Sequence, residues 1–236
     1  MAVVIGAHPG GKSRYTVCGL FYSGSLPALM FRLRSYSGTD EVLGDIVGTF
    51  GEWGELAAVA IDAPLTWSGT ASGWRACDLE LKQKLDPWIP KTWVRPPNAL
   101  AGAVGVQGPA LAWTLAQEIK SGQLPKHTLV ETNPRLCLAR IATEKREAIL
   151  QYRNSKASAA ERNGAVHALL GLLVESGVVQ LEDTPPRDTA QLDALVSALV
   201  ALGTAHPESG LIVNSVEGGE IVPVGRRPFN LLTALP

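Results

Sequence analysis

Three carboxylates stand at the ends of apolar stretches, where an ionised group is costly unless it is used. Asp62 follows the apolar run 56–61, Glu131 closes the run "TLVE", and Asp193 lies about one turn into a segment with leucines at helical spacing. Converging carboxylates suit Mg²⁺, and two such ions can stabilise the attacking and leaving oxygens of a phosphoryl transfer. These residues predict a site for a divalent cation, Mg²⁺ or Mn²⁺, with Asp62, Glu131 and Asp193 as ligands.

Each of these acids also has a structural interpretation. Asp62 precedes Ala-Pro and would cap a turn. Asp193 would be a partly exposed helix residue, and Glu131 would pair with an arginine such as Arg135. The sequence leaves both interpretations open for all three.

A second motif lies near the start of the chain. Gly6, Gly11, Lys12 and Ser13 match G-x-x-x-x-G-K-S, the phosphate-binding loop of ATPases and GTPases. That loop requires a helix after it, whereas the following "RYTVCGLFY" is rich in β-branched and aromatic residues typical of a strand. The match is therefore predicted to be a hairpin turn at the lip of the acidic site, where Lys12 and Ser13 would contact substrate.

The elements that must position these residues follow from hydrophobic periodicity. The first 36 residues read as three antiparallel strands. After them we predict a helix starting near Gly38, an apolar strand over 56–61, helices near 73–85 and 108–121, a strand ending at Glu131, helices over 135–153 and 158–177, a last helix capped by Asp188, and a hairpin turning at Gly218-Gly219.

This order predicts an α/β fold with a mixed sheet: three antiparallel strands, alternating helices and parallel strands, and a C-terminal hairpin. It is the layout of ribonuclease-H-like domains. There the first and fourth strands lie side by side, which would bring Asp62 next to the turn at residues 7–13. No internal repeat is visible, so we expect a single domain over 1–236.

Residues 63–109 form an irregular insertion rich in tryptophan and proline. Long irregular segments in compact domains are usually functional. The segment is either a stiff loop packed on the body or a surface for substrate or for a second copy of the chain in a homodimer. Its Arg75, with Lys12 and the basic segment 135–153, would supply cations for a substrate's phosphates.

Bulk composition narrows the classes of function. The 236 residues are 46% hydrophobic and 18% charged, with a net charge of −1. Near-neutral charge argues against a large duplex footprint, so a short or single-stranded nucleic acid or a nucleotide fits better. Cys18, Cys77 and Cys137 form neither a metal spacing nor a disulfide framework, and no leader or membrane-length apolar run is seen, so we expect a cytoplasmic protein and no membrane partner.

Six segments together resemble one family. They are "VVIGAHPGGKSRYTV", "AAVAIDAPLTW", "WRACDLELK", "LVETNPRLCL", "DTAQLDALVSALVA" and "EGGEIVPV". In this order they are similar to the prokaryotic domain-of-unknown-function family 429, predicted nucleases with a ribonuclease-H-like fold. The resemblance implies metal-dependent phosphodiester hydrolysis, with Asp62, Glu131 and Asp193 as the acidic site. It also implies accessory positions at Arg75, Asp78 and Glu217.

The chain departs from the family pattern at the end of the first strand. Where the family usually has an Asp, in a pattern such as G-I-D, this sequence has Gly6-Ala7-His8. An imidazole nitrogen is a softer ligand that suits Mn²⁺ or Zn²⁺ better than Mg²⁺. Three roles stay open for His8: a metal ligand, a general base near neutral pH, or the mark of a domain that binds without catalysis.

Three functions therefore compete at the level of sequence. The first is a metal-dependent, nuclease-like phosphodiester hydrolase acting through Asp62, Glu131, Asp193 and His8. The second is an inactive binding or scaffolding protein of the same fold. The third is a nucleotide-dependent phosphotransferase, whose first Gly-rich hairpin would contact phosphate.

Overall fold

The computed structural model of the chain describes residues 1–10, 14–68, 70–100, 103–124, 128–181, 184–216 and 229–236. Within them lie the strands β1 (Ala2–Pro9), β2 (Tyr15–Tyr22), β3 (Ala28–Tyr36), β4 (Glu55–Ile61), β5 (Thr128–Glu131), β6 (Val179–Leu181), β7 (Ile212–Val216) and β8 (Phe229–Ala234). The α-helices are α1 (Thr39–Trp53), α2 (Ala76–Gln83), α3 (Ala103–Ser121), α4 (Pro134–Ile141), α5 (Arg146–Gln151), α6 (Ala159–Glu175) and α7 (Thr189–Ala205).

The strands form one mixed sheet in the order β6-β3-β2-β1-β4-β5-β8-β7. The first three strands are antiparallel, β1 pairs in parallel with β4, and β4 pairs in parallel with β5. β7 and β8 form an antiparallel C-terminal hairpin. The predicted mixed α/β fold, the adjacent first and fourth strands and the C-terminal hairpin are confirmed, whereas the ribonuclease-H-like assignment stays a prediction.

The central strands are apolar along their whole length because helices cover both faces of the sheet. In β1, Val4 faces the core that includes α7, whereas Val3 and Ile5 face the core that includes α1 and α3. The continuous apolar runs in β1 and β4 therefore mark buried strands whose carboxyl ends open at the edge of the sheet.

Gly6 determines how closely α7 lies on the sheet. A Cβ atom at this position would lie 2.0 Å from the carbonyl oxygen of Ala194 and 2.2 Å from the amide nitrogen of Ala198. Only a glycine in the strand lets the helix backbone come so near. This close contact places Asp193, the residue before Ala194, next to the end of β1.

The helical pattern over residues 135–153 was predicted as one helix, and this prediction is wrong. The segment divides into α4, a short 3-10 turn at Thr143–Lys145 and α5. Ala142 leaves the helical conformation with φ −122° and ψ 46° and is fully buried. Its tertiary packing overrides local helical propensity, and the chain after the break contributes Ile149 and Tyr152 to the same buried core as α7.

The C-terminal hairpin differs in detail from its prediction. The predicted turn at Gly218-Gly219 lies outside the described residues, as does Glu217. The second strand of the hairpin is β8, whose pairing with β5 joins the hairpin to the main sheet. The short strand β6, which pairs with β3 at the other edge, has no clear signature in the sequence.

Residues 63–109 contain more regular structure than their composition predicts. α2, two 3-10 turns at Lys91–Trp93 and Pro97–Ala99, and the first part of α3 fall within them. No helix in the described part of the chain has the length and hydropathy needed to cross a membrane.

Candidate functional site

Three predicted site residues converge where β1 and β4 end. His8 is the second-last residue of β1, and Asp62 directly follows β4, with its amide donating a 2.8 Å hydrogen bond to the carbonyl of Ala7. Asp193 comes from α7 and is completely buried. One ligand atom from each of His8, Asp62 and Asp193 lies within 4.8 Å of the other two. We call these three residues together with Arg153 the His8 cluster.

The imidazole of His8 is oriented by Asp62. Its Nδ1 donates to Asp62 Oδ2 at 2.7 Å and lies 4.0 Å from Asp193 Oδ2. In the neutral ring this contact holds the proton on Nδ1 and leaves the Nε2 lone pair free. Nε2 has no hydrogen-bond partner among the described residues, and His8 lines a cavity.

Arg153 lies between the two aspartates and compensates one of their two negative charges. Its Nε donates to Asp193 Oδ2 at 2.8 Å and its Nη2 donates to Asp62 Oδ2 at 2.8 Å, with a further contact from Nη2 to Asp193 Oδ2. The phenol of Tyr152 donates to Asp193 Oδ1 at 3.1 Å. With His8 neutral, two carboxylates and one guanidinium leave the cluster with a net charge of −1.

Burial governs the protonation of this cluster. Loss of water around Asp193 raises the pKa of its carboxyl, an effect that the charge of Arg153 opposes. Burial also raises the pKa of the Tyr152 phenol well above its ordinary value. For Arg153 burial disfavours the charged form, but Asp193, Tyr152 and Asp62 outweigh it and hold the guanidinium pKa well above its ordinary value.

Glu131 belongs to a different ionic group, which we call the Arg75 cluster: Arg75, Asp78 and Glu131. Arg75 donates to Glu131 Oε2 at 2.7 Å and Oε1 at 2.5 Å, and to Asp78 Oδ2 at 2.8 Å and Oδ1 at 2.7 Å. Glu131 Oε2 also accepts from the amide of Leu65 at 2.8 Å, and Arg75 reaches Thr66 Oγ1 at 3.0 Å.

The Arg75 cluster fastens the irregular segment to the end of β5. All three of its charged side chains are at most 7% exposed. Burial raises the pKa of Glu131, and the charge and hydrogen bonds of Arg75 oppose that rise. Glu131 pairs with Arg75 and not with Arg135. Because Arg75 and Leu65 use both of its oxygens, we leave Glu131 out of the ligand set proposed below and assign Arg75 to the same internal network.

A cavity of about 360 Å³ lies above both clusters. His8, Asp62 and Arg153 line one side of it, and Arg75, Asp78 and Glu131 line another. Residues 92–95 and Leu100 of the irregular segment form much of the remaining wall. The segment thus encloses the site, as expected for a functional loop.

Three tryptophans of the irregular segment carry a cation over the ring. Lys82 lies 4.4 Å from the ring centre of Trp74, Arg146 lies 5.2 Å from that of Trp88, and Arg135 lies 3.5 Å from that of Trp93. These faces are therefore covered by the chain's own side chains. The predicted role of the segment as a stacking platform for bases stays a prediction.

Two predicted site residues and two site residues that the sequence analysis missed remain to be accounted for. Lys12 and Ser13 lie outside the described residues. Arg153 and Tyr152 were not singled out in the sequence. The only sequence feature that pointed to them was their position at the end of a basic helical pattern. No local sequence pattern indicates that Arg153 contacts two aspartates that lie 91 and 40 positions away.

The donor set suits a borderline divalent cation. One imidazole nitrogen and two carboxylate oxygens are typical ligands of Mn²⁺ and Zn²⁺, and Asp62 Oδ1 has no partner among the described residues. Ligands on opposite sides of a small divalent cation are roughly 4.2 Å apart, close to the spread found here. His8, Asp62 and Asp193 therefore fit a metal ion, provided that Arg153 shares or releases the carboxylates and that the imidazole proton moves from Nδ1 to Nε2, which frees the Nδ1 lone pair.

The chain matches a known protein family. The family model described as "Protein of unknown function (DUF429)" matches residues 16–217. No curated protein and no solved structure matches the chain.

Proposed function

Because the chain belongs to the protein family of unknown function DUF429, whose description names no activity, we propose a function from the geometry of the site. We infer that the protein is a metal-dependent phosphodiester hydrolase, nuclease-like in its chemistry. One observation carries the proposal: His8, Asp62 and Asp193 bring their ligand atoms within 4.8 Å of one another, and two of the three, His8 and Asp62, line a cavity.

In this proposal Asp62, Asp193 and His8 hold the cation. A divalent ion bound there would polarise the phosphoryl oxygen and activate a water as nucleophile. Asp193 supplies a fully buried carboxylate on α7, and Asp62, which lines the cavity, supplies a carboxylate whose Oδ1 has no hydrogen-bond partner among the described residues. The nitrogen of His8 favours Mn²⁺ or Zn²⁺ over Mg²⁺.

Arg153 would change partner in a metal-loaded site. Its guanidinium now pairs with Asp62 and Asp193, the residues that would hold the cation. The side chain follows α5 in a turn and is 28% exposed. With its carboxylates engaged elsewhere, Arg153 would be free to donate to the phosphate oxygens of the substrate, which are good bidentate acceptors.

The size and charge of the site favour a small substrate. A volume of about 360 Å³ matches a ligand pocket and not a duplex groove. The net charge of −1 gives no extended basic surface for a duplex. We therefore expect a nucleotide, or the end of a short single strand, with its phosphodiester at the His8 cluster.

A second candidate function is binding without hydrolysis, and the contacts of Arg153 favour it. The two aspartates already have a cation between them, so one of their two negative charges is compensated without a metal. In that case Arg153 would be a permanent part of the fold. Metal binding separates the two candidates.

The test is isothermal titration calorimetry with Mn²⁺ and Mg²⁺ on the native protein and on Asp62→Asn. We expect micromolar Mn²⁺ binding, weaker Mg²⁺ binding, and loss of both in the variant. Glu175→Gln, which neutralises an exposed carboxylate far along α6, is the matched control and should bind like the native protein. Circular dichroism should show that all three proteins are folded.

Activity is then measured with manganese-loaded protein on dinucleotides and short single-stranded oligonucleotides. Cleavage that requires Mn²⁺ and is abolished by Asp62→Asn would support the hydrolase. Absence of binding of either ion to the folded native protein would refute the hydrolase and favour the binding domain.

A further inference from the structure

Arg135 is a cavity-lining cation that lacks an anionic partner. Among the described residues, no carboxylate oxygen lies within 4.0 Å of its guanidinium, and no acceptor takes a hydrogen bond from it. Its Nε is buried and unpaired. A buried donor without a partner is rare in proteins and calls for an explanation such as an absent ligand.

The other arginines of the cavity are accounted for. Arg75 is saturated by Asp78 and Glu131, and Arg153 is shared by Asp62 and Asp193. Arg95, at an exposed position, donates from Nε to the carbonyl of Thr92 at 3.3 Å. Arg135 therefore differs from its neighbours in having a partly buried charge and open donor capacity.

Trp93 holds the Arg135 guanidinium in place. The guanidinium carbon lies 3.5 Å from the centre of the Trp93 ring, the distance of a close cation–π stack. Stacking engages the flat face of the group and leaves its N–H donors at the edge. A guanidinium fixed in this way is organised to bind a planar pair of oxygen acceptors, as in a phosphate.

The electrostatics of the cavity agree with this geometry. The pKa of Arg135 is lowered to about 10, chiefly by burial; the charge of Arg153 also lowers it, whereas Tyr152 and Asp193 act in the opposite direction. The positive charge is therefore poorly compensated where it stands. A bound anion would supply the missing compensation.

We propose that Arg135 is an anion subsite that binds a second phosphate group of the ligand, next to the phosphate at the His8 cluster. The subsite rests on the proposed function only for the identity of the first phosphate. It assigns the substrate to a chemical class: small molecules or strand ends with two phosphates, such as a nucleotide chain with a terminal phosphate. Arg95, on the same cavity wall, would contribute charge at the rim.

The test is calorimetric titration of inorganic pyrophosphate into protein freed of metal on a chelating resin. The native protein is compared with Arg135→Gln and Arg135→Lys. Arg140→Gln is the matched control because Arg140 lies on the same helix but contacts the carbonyl of Lys84 and Asp86 outside the cavity. Thermal unfolding of each variant checks that it is folded.

We expect native protein and Arg140→Gln to bind pyrophosphate equally and Arg135→Gln to bind it at least about tenfold more weakly, the effect of losing a charge-assisted bidentate contact. Arg135→Lys should retain part of the affinity, since it keeps the charge but not the fork of donors. Equal binding by native protein and folded Arg135→Gln, or no binding by native protein, would overturn the subsite.

The experiment distinguishes this inference from the proposed function because no metal is present. Pyrophosphate binding that depends on Arg135, in a protein that neither binds Mn²⁺ nor cleaves phosphodiesters, would sustain the subsite and refute the hydrolase. Manganese-dependent cleavage that Arg135→Gln leaves unchanged for substrates with and without a terminal phosphate would refute the subsite and sustain the hydrolase.

Discussion

The Arg75 cluster and the His8 cluster have the same ionic composition, one arginine between two carboxylates, but differ in saturation. In the Arg75 cluster both oxygens of each acid accept hydrogen bonds. In the His8 cluster the contacts of Arg153 fall on one oxygen of each acid, and Asp62 Oδ1 has no partner among the described residues. A saturated cluster has no place for a ligand, whereas an unsaturated one beside a cavity does.

The two clusters also differ in their exposure to solvent. The Arg75 cluster is almost wholly buried, and it joins the irregular segment to β5. In the His8 cluster, Asp193 is fully buried but Arg153 is 28% exposed and His8 16% exposed. The comparison indicates that the Arg75 cluster has a structural role in the cavity wall, whereas the His8 cluster is the proposed reactive site.

The largest expected effect comes from breaking the Arg75 cluster. Arg75→Gln removes the guanidinium between two buried carboxylates and leaves Asp78 and Glu131 without a counter-ion, which should lower the free energy of unfolding by about 3–5 kcal/mol. Urea denaturation measures the change, with Glu175→Gln as the exposed control. A loss below about 1 kcal/mol would mean that the cluster does not hold the segment.

A smaller effect is expected from separating α7 from β1. Gly6→Ala forces a methyl group into the backbone of α7 and should cost about 2–3 kcal/mol of stability. It should also weaken Mn²⁺ binding, because Asp193 moves away from Asp62. Gly164→Ala in α6, where nothing lies within 4 Å of the added carbon, should be neutral or stabilising by up to about 1 kcal/mol.

If Gly6→Ala loses stability but binds Mn²⁺ as tightly as the native protein, the height of α7 does not set the geometry of the His8 cluster. If stability is also unchanged, the close contact between Gly6 and α7 does not contribute to the stability of the fold.

The smallest expected effect sharpens the contrast between the two arginines. Arg153→Gln should lower stability by about 2 kcal/mol without metal, less than the change at Arg75, because Arg153 is partly exposed. Saturating Mn²⁺ should raise the unfolding temperature of this variant more than that of the native protein, since the cation no longer competes with a guanidinium. An equal or smaller rise would show that Arg153 does not oppose the metal.

Local patterns were sufficient to predict most of the elements. Apolar runs revealed β1 and β4, and the capping box of Ser158 and Glu161 placed the start of α6 correctly. Asp188 caps α7 as predicted, with its side chain accepting from the amide of Gln191. These features depend on residues within four positions of one another, which is why the sequence predicts them.

The site was only partly predictable for the opposite reason. Asp62 and Asp193 could be found because they end or flank apolar elements, and the resemblance drew attention to His8. The assignment of Glu131 to Arg75 and of Arg153 to Asp62 depends on side chains 56 and 91 positions apart. These pairings depend on the break in the helix at Ala142 and on the way the irregular segment packs against the end of β5. Neither can be predicted from a local sequence pattern.

The wide spacing of the His8 cluster along the chain has a consequence for folding. His8 and Asp62 are 54 positions apart, Asp62 and Arg153 are 91 apart, and Arg153 and Asp193 are 40 apart. Closing such long loops is entropically costly and slow, so the cluster assembles only after the sheet and α7 have come together. During synthesis the nascent chain holds none of the complete site until α7 has left the ribosome, and Mn²⁺ affinity should appear as one of the last events of folding.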